Sequence, residues 1–134
     1  MKLSKFKPLY DKKGNANFRY MYQRPGVYVI RENGKIVYIG HSQSNLYTTM
    51  YRHFQEWNHP TQNVTTYKGR PHRYTARVVL TRKNQAIPLE QALVQKYKPR
   101  DNKEKYERIK ESRTMAKLKH EYHEIDPVPG DAPF

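Results

Sequence analysis

The sequence contains no cysteine, which excludes disulfides and thiolate-held metals. Acidic residues are scarce: 12 Asp and Glu stand against 26 Lys and Arg, for a net charge of +14. No long apolar stretch is present, and Met1–Tyr10 holds no hydrophobic run of signal-peptide length. A membrane span and a secretory leader are therefore not expected, and a cytoplasmic location is. Hydrophobic residues make up 36% of the 134 positions, low for a globular chain, so polar tail or exposed helix must account for part of the length. What remains is one small domain with extensions and an excess of positive charge. That excess suits a polyanion, since each neutralised phosphate releases counterions.

Four features organise the chain. Residues 1–25 are basic and aromatic, with Phe6, Tyr10, Phe18, Tyr20 and Tyr22 interleaved among Lys and Arg. Gly26–Gly40 reads GVYVIRENGKIVYIG, two β-prone runs around Asn33-Gly34, a strong hairpin signal. A two-residue loop would pair Tyr28 with Ile39. A three-residue loop, Glu32-Asn33-Gly34, would set Tyr28 opposite Tyr38 on one face, and this register is the one expected. Residues 44–57 follow a helical period, with Leu46, Met50, Phe54 and Trp57 in one stripe and Ser44 as the expected N-cap. After a polar loop over 58–72, Arg73–Arg82 reads as a strand. Leu89–Tyr97 then reads as a helix with Pro88 in its first turn and Pro99 after its end. Residues 103–122 read as a charged helix and 126–134 as a proline-bearing tail. The expected fold is α+β: a small three-stranded antiparallel sheet, order 2-1-3, flanked by helices.

The spacing of a few residues is more specific. Gly26-Val27-Tyr28 is followed by Tyr38-Ile39-Gly40, then by Glu90, and twelve residues later, behind Pro99, by Asn102. In this combination and order the chain resembles the GIY-YIG nuclease superfamily over about residues 25–103, with residues 1–25 and 104–134 as extensions. Taken singly, these residues have ordinary explanations: strand aromatics, a carboxylate near a helix N-terminus, a turn asparagine.

The resemblance implies a metal-dependent endonuclease acting on DNA phosphodiesters. Tyr28 would be the base, supported by Tyr38. Glu90 would hold one Mg2+ or Mn2+, and Asn102 would orient Glu90 or nearby backbone. Free tyrosine, with a pKa of about 10, is a poor base at neutral pH, so His41 and His53 are candidates to handle its proton. Many relatives carry an arginine on the first helix where this chain has Thr49, and Arg52, one turn on, is the expected replacement. Arg77 is a further possible source of that guanidinium. Asp101 stands where an aromatic often precedes the asparagine. Lys68, Arg70, Arg73 and Lys103 are candidates for tracking DNA phosphates. The core leaves no room for a large recognition domain, so low intrinsic sequence specificity, or a protein partner that supplies it, is expected. Two other readings stay open: a binding module that keeps the fold without the chemistry, and a basic component of a nucleoprotein particle.

Overall fold

The computed structural model describes residues 2–54, 67 and 73–102. Its frame is one antiparallel sheet. Two short strands, β1 (Lys2–Leu3) and β2 (Lys7–Pro8), precede the hairpin β3 (Gly26–Glu32) and β4 (Lys35–Ser42). Helix α1 (Leu46–Tyr51) follows, then β5 (Tyr74–Leu80) and α2 (Ala86–Tyr97). The strand order is β1-β5-β3-β4, with β2 also pairing β5. The expected count of three strands is corrected: the three expected strands are adjacent as β4-β3-β5, which is 2-1-3, and β1 and β2 extend the sheet beyond β5. The basic N-terminal segment adds strands to β5, which pattern reading missed because two-residue strands carry no periodicity.

β1 and β2 lie along the same edge of β5, with Leu3 opposite Val79 and Lys7 opposite Ala76. Between them the ladder is patched by Ser4, whose N–H donates to the Val78 carbonyl and whose Oγ accepts from the Val78 N–H at 3.0 Å. Pro8 can sit here because an outer strand tolerates a residue that lacks a donor.

The hairpin departs from the expected register. Asn33 and Gly34 both have positive φ (50° and 84°), as a two-residue type I′ turn requires, and Glu32 pairs with Lys35. A one-residue shift between Ile30 and Arg31 then sets Ile30 opposite Tyr38 and Tyr28 opposite Gly40. The bulge does what the longer loop was expected to do. It restores parity, so Tyr28 and Tyr38 share a face without facing each other directly.

Both faces of the sheet are covered, which is why Gly26–Ile30 is buried at every position rather than at alternate ones. On one face Tyr28, Ile30 and Val78 pack with Leu46, Met50 and Phe54, and residues of the N-terminal segment (Leu9, Phe18, Met21) complete that cluster. On the other, Val27, Val29, Ile39 and Val79 pack against Leu89, Leu93 and Val94. Gly26 is required where β3 passes β5: a Cβ there would come within 2.3 Å of the Val79 carbonyl oxygen.

The helices differ in detail from expectation. Asn45, not Ser44, caps α1, accepting from the Thr48 N–H at 3.2 Å, because the Ser42 hydroxyl already takes the Ser44 and Asn45 N–H groups. After Tyr51 the chain tightens into a 3-10 turn, Arg52–Phe54, and Trp57 lies outside the described residues. Helix α2 begins three residues early, and ends with Lys98 in the left-handed region at φ 46°, directly before Pro99. The helix and tail expected over 103–134 also lie outside the described residues, as does nearly all of the 58–72 loop. Among the described residues no helix is long and apolar enough to cross a membrane.

Candidate active site

Apart from Arg77, the buried polar side chains of the described residues (Ser42, His53, Glu90 and Asn102) gather around edge strand β4 and its neighbour β3. The Tyr28 Oη lies 2.7 Å from His53 Nε2, in a fully buried contact. With the histidine proton on Nδ1, the phenol donates and the ring accepts. The 3-10 turn after α1 brings His53 to the sheet. Its ring also packs against Tyr38 (centroids 4.6 Å apart), and the Tyr38 and Tyr28 rings stack at 6.0 Å.

Burial pushes the Tyr28 hydroxyl well above its ordinary range, and the neighbouring Tyr38 and Glu90 push it the same way. The phenol is therefore protonated at neutral pH and needs an acceptor before it can take up another proton. His53 occupies the acceptor position.

On the other side of the sheet, α2 presents Glu90, only 6% exposed. His41, which pairs with Val27 in the hairpin, places its Nδ1 2.5 Å from Glu90 Oε2. Between the two sides lies Gly40, where β4 carries no side chain. There the Tyr28 ring fills the space a Cβ would need, and Glu90 is near enough to bear on the phenol.

Asn102 is 2% exposed and grips the edge strand with both ends of its amide. Its Oδ1 accepts from the Ile39 N–H and its Nδ2 donates to the Ile39 carbonyl, each at 2.8 Å. It thus substitutes for one rung of a missing neighbouring strand, at the residue between Tyr38 and Gly40. Of the two targets expected for Asn102, its amide meets backbone and not Glu90.

The remaining candidates scatter. Arg52 is exposed beside His53, and Thr49 is half-buried one turn back. Arg77 pairs with Val29 and so points to the α2 side, where its guanidinium lies 4.4 Å from the centre of the Phe6 ring, away from Tyr28. Arg73 is exposed at the start of β5. Lys68, Arg70 and Lys103 lie outside the described residues.

Sequence reading missed Tyr67. Its N–H donates to the His53 carbonyl at 2.6 Å, and its hydroxyl donates to Asp101 Oδ2 at 2.6 Å. Its ring packs against His53, Phe54 and Tyr74. Its one signal was a lone aromatic within a polar stretch.

A family model for the GIY-YIG catalytic domain matches residues 24–107, more than half of the chain. The protein is a member of the GIY-YIG family. No curated protein and no solved structure matches the chain significantly. GIY-YIG domains are nuclease domains in general, and such nucleases commonly use divalent metals. Among the described residues no group of three or more His, Asp or Glu could hold a metal alone. A single buried carboxylate nonetheless fits a hard, largely hydrated divalent ion, which takes one or two carboxylates and completes its shell with water and phosphate oxygens.

Proposed function

We propose that this GIY-YIG domain is an endonuclease that hydrolyses DNA phosphodiester bonds. The observation that carries this reading is the buried Tyr28–His53 hydrogen bond at 2.7 Å, with Glu90 close enough to raise the same phenol.

Hydrolysis needs a water oxygen to attack phosphorus and lose a proton as the bond to the leaving oxygen breaks. Tyr28 takes that proton from the water while passing its own to His53, so the phenol need never exist as a free phenolate. The departing oxygen takes a proton from solvent, and His53, charged after the transfer, gives its proton back to solvent, so the proton count closes. Tyr38 packs against both rings and holds their geometry. Glu90 would hold one Mg2+ or Mn2+, which when bound supplies Lewis acidity and neutralises charge on the phosphate. His41 fixes the orientation of the Glu90 carboxylate. Asn102 is a positioning residue that acts through the Ile39 backbone.

Arg52 is the proposed phosphate clamp in place of Thr49. Its place next to His53 and its exposure support that role, and the reach and fork of a guanidinium suit it. The exposed Arg73, with Lys68, Arg70 and Lys103, is proposed to contact DNA backbone, and a protein partner to supply sequence specificity.

The test is incubation of the full chain with supercoiled plasmid, with Mg2+ or Mn2+ and with EDTA, beside Glu90→Ala and Arg52→Ala. Metal-dependent nicking, lost in both variants, is expected. Tight binding by wild type without nicking would instead make this a binding module that has kept the fold and lost the chemistry, the reading that Thr49 favours.

A further inference from the structure

The N-terminal segment lies almost wholly outside the family match, yet it packs on the same face of the sheet as Tyr28, through Leu9, Phe18 and Met21. It also carries the two most exposed large hydrophobic side chains among the described residues, Tyr20 at 50% and Tyr22 at 54%.

Neither ring is loose. Tyr20 sits on a 3-10 turn, Arg19–Met21, anchored by buried Met21. Its ring meets Phe18 at 6.3 Å, and Lys7 Nζ lies 5.8 Å from its centre. Tyr22 contacts Tyr47 of α1 edge-on at 6.3 Å, and Arg19 lies 5.8 Å from the same Tyr47 ring. An exposed ring held in one orientation loses little entropy on receiving a flat partner.

Among the described residues of this segment and α1 the charge is nearly one-signed. Residues 1–54 hold ten Lys and Arg but only two acidic residues, Asp11 and Glu32. Asp11 is taken up capping its own turn, and Glu32 faces Arg100. Among the described residues no carboxylate pairs with Lys7, Arg19 or Arg24. Beside Tyr20 opens a cleft of about 280 Å3 that Lys5 and Lys7 also line. Fixed π-faces alternating with cations that no described carboxylate pairs suit the binding of an unpaired strand: bases stack, phosphates meet the cations, and no base edge is read.

We propose that Tyr20 and Tyr22, with Lys7, Arg19 and Arg24, form a ledge that binds single-stranded DNA, so that the substrate is DNA with unpaired nucleotides next to the cleaved bond. This rests on the nuclease reading. Tyr47 connects the ledge to α1, the helix that leads into His53, so a strand lying on the ledge approaches the Tyr28 face of the sheet.

The test is fluorescence anisotropy of the full chain, in EDTA, with a labelled oligothymidine and with a duplex of equal length. Wild type is expected to bind the single strand more tightly. Tyr20→Ala and Tyr22→Ala are each expected to weaken that binding about tenfold, and Tyr22→Phe, which keeps the ring, to restore it to within about twofold. Circular dichroism checks that each variant is folded. Photo-cross-linking of a strand bearing 5-iododeoxyuridine, mapped by mass spectrometry, should mark Tyr20 or Tyr22. Equal affinity for both DNAs, or alanine variants that bind the single strand as wild type does, would overturn the ledge. If such a protein still nicks plasmid with metal, the nuclease reading stands without it. If wild type neither nicks plasmid nor binds either DNA, both fall.

Discussion

The ring of Tyr28 lies across Gly40 so closely that a Cβ there would come within 2.3 Å of both Cζ and Oη. The glycine of Tyr38-Ile39-Gly40 is thus the seat of the tyrosine of Gly26-Val27-Tyr28, and the two halves of the hairpin motif are parts of one contact. Gly40→Ala should therefore displace the phenol from His53 as well as overpack the site. A loss of about 1–3 kcal/mol in urea unfolding is expected, and nicking should fall much further than the lost stability explains. Retention of wild-type nicking by a folded Gly40→Ala protein would refute the fit.

The bond between Tyr28 and His53 should make their effects on the proposed cleavage interdependent. Tyr28→Phe and His53→Ala are each expected to lower the nicking rate by about 10²–10⁴-fold, and the double variant to be little worse than either alone. Fully additive losses in single-turnover assays would mean that the two side chains do not act as one proton path.

Asn102 supplies both hydrogen bonds of the Ile39 peptide units on the exposed side of β4. In Asn102→Ala two backbone groups lose their partner, at a cost of about 1–3 kcal/mol for each that stays dry. Amide hydrogen exchange should show the effect most strongly at the site: the Ile39 N–H is expected to lose more protection than the Val29 and Val79 amides in the sheet interior, which fall only by the variant's loss of global stability.

Alkaline pH should unfold the protein. Burial is the main cause raising the phenols of Tyr28, Tyr51 and Tyr67, and it also raises Tyr10 and Tyr20. In the unfolded chain these groups ionise near their ordinary value of about 10. Above that pH the unfolded state holds fewer of these protons than the native state, so stability is full below about 10 and falls as pH rises towards the folded values. Urea midpoints across this range should drop, and phenolate absorbance of the deeply buried rings should appear together with loss of the far-ultraviolet signal.

The candidate site was legible in the sequence where chemistry demands particular side chains at fixed spacing. Tyr28, Tyr38, Glu90 and Asn102 could be picked out from the family pattern, and His41 and His53 from the need to handle a phenol proton. The contacts bear on each role differently: His53 meets Tyr28, His41 meets Glu90, and Asn102 holds Ile39. The hairpin was legible as a hairpin, but its register was not. A type I′ turn plus a bulge gives the same facing of Tyr28 and Tyr38 as a three-residue loop, and sequence alternation cannot separate the two. The outer strands were illegible for a different reason. Lys2–Leu3 and Lys7–Pro8 are too short for a period, and they are defined by β5, some seventy residues away. Tyr67 was hidden because its partners, His53 and Asp101, come from separate parts of the chain.

The distance from the outer strands to β5 bears on how the molecule is made. Residues 2–8 leave the ribosome well before residues 75–80, their only strand partners among the described residues. The hairpin Gly26–Ser42 can form from neighbouring residues, but the segment before it cannot dock until β5 has been translated and has joined the hairpin. Throughout that interval a lysine-rich segment carrying Phe6 and Leu9 waits unpaired. Its positive charge keeps such nascent segments apart from one another, so the same residues that crowd this end of the molecule with cations also guard it before it has a sheet to join.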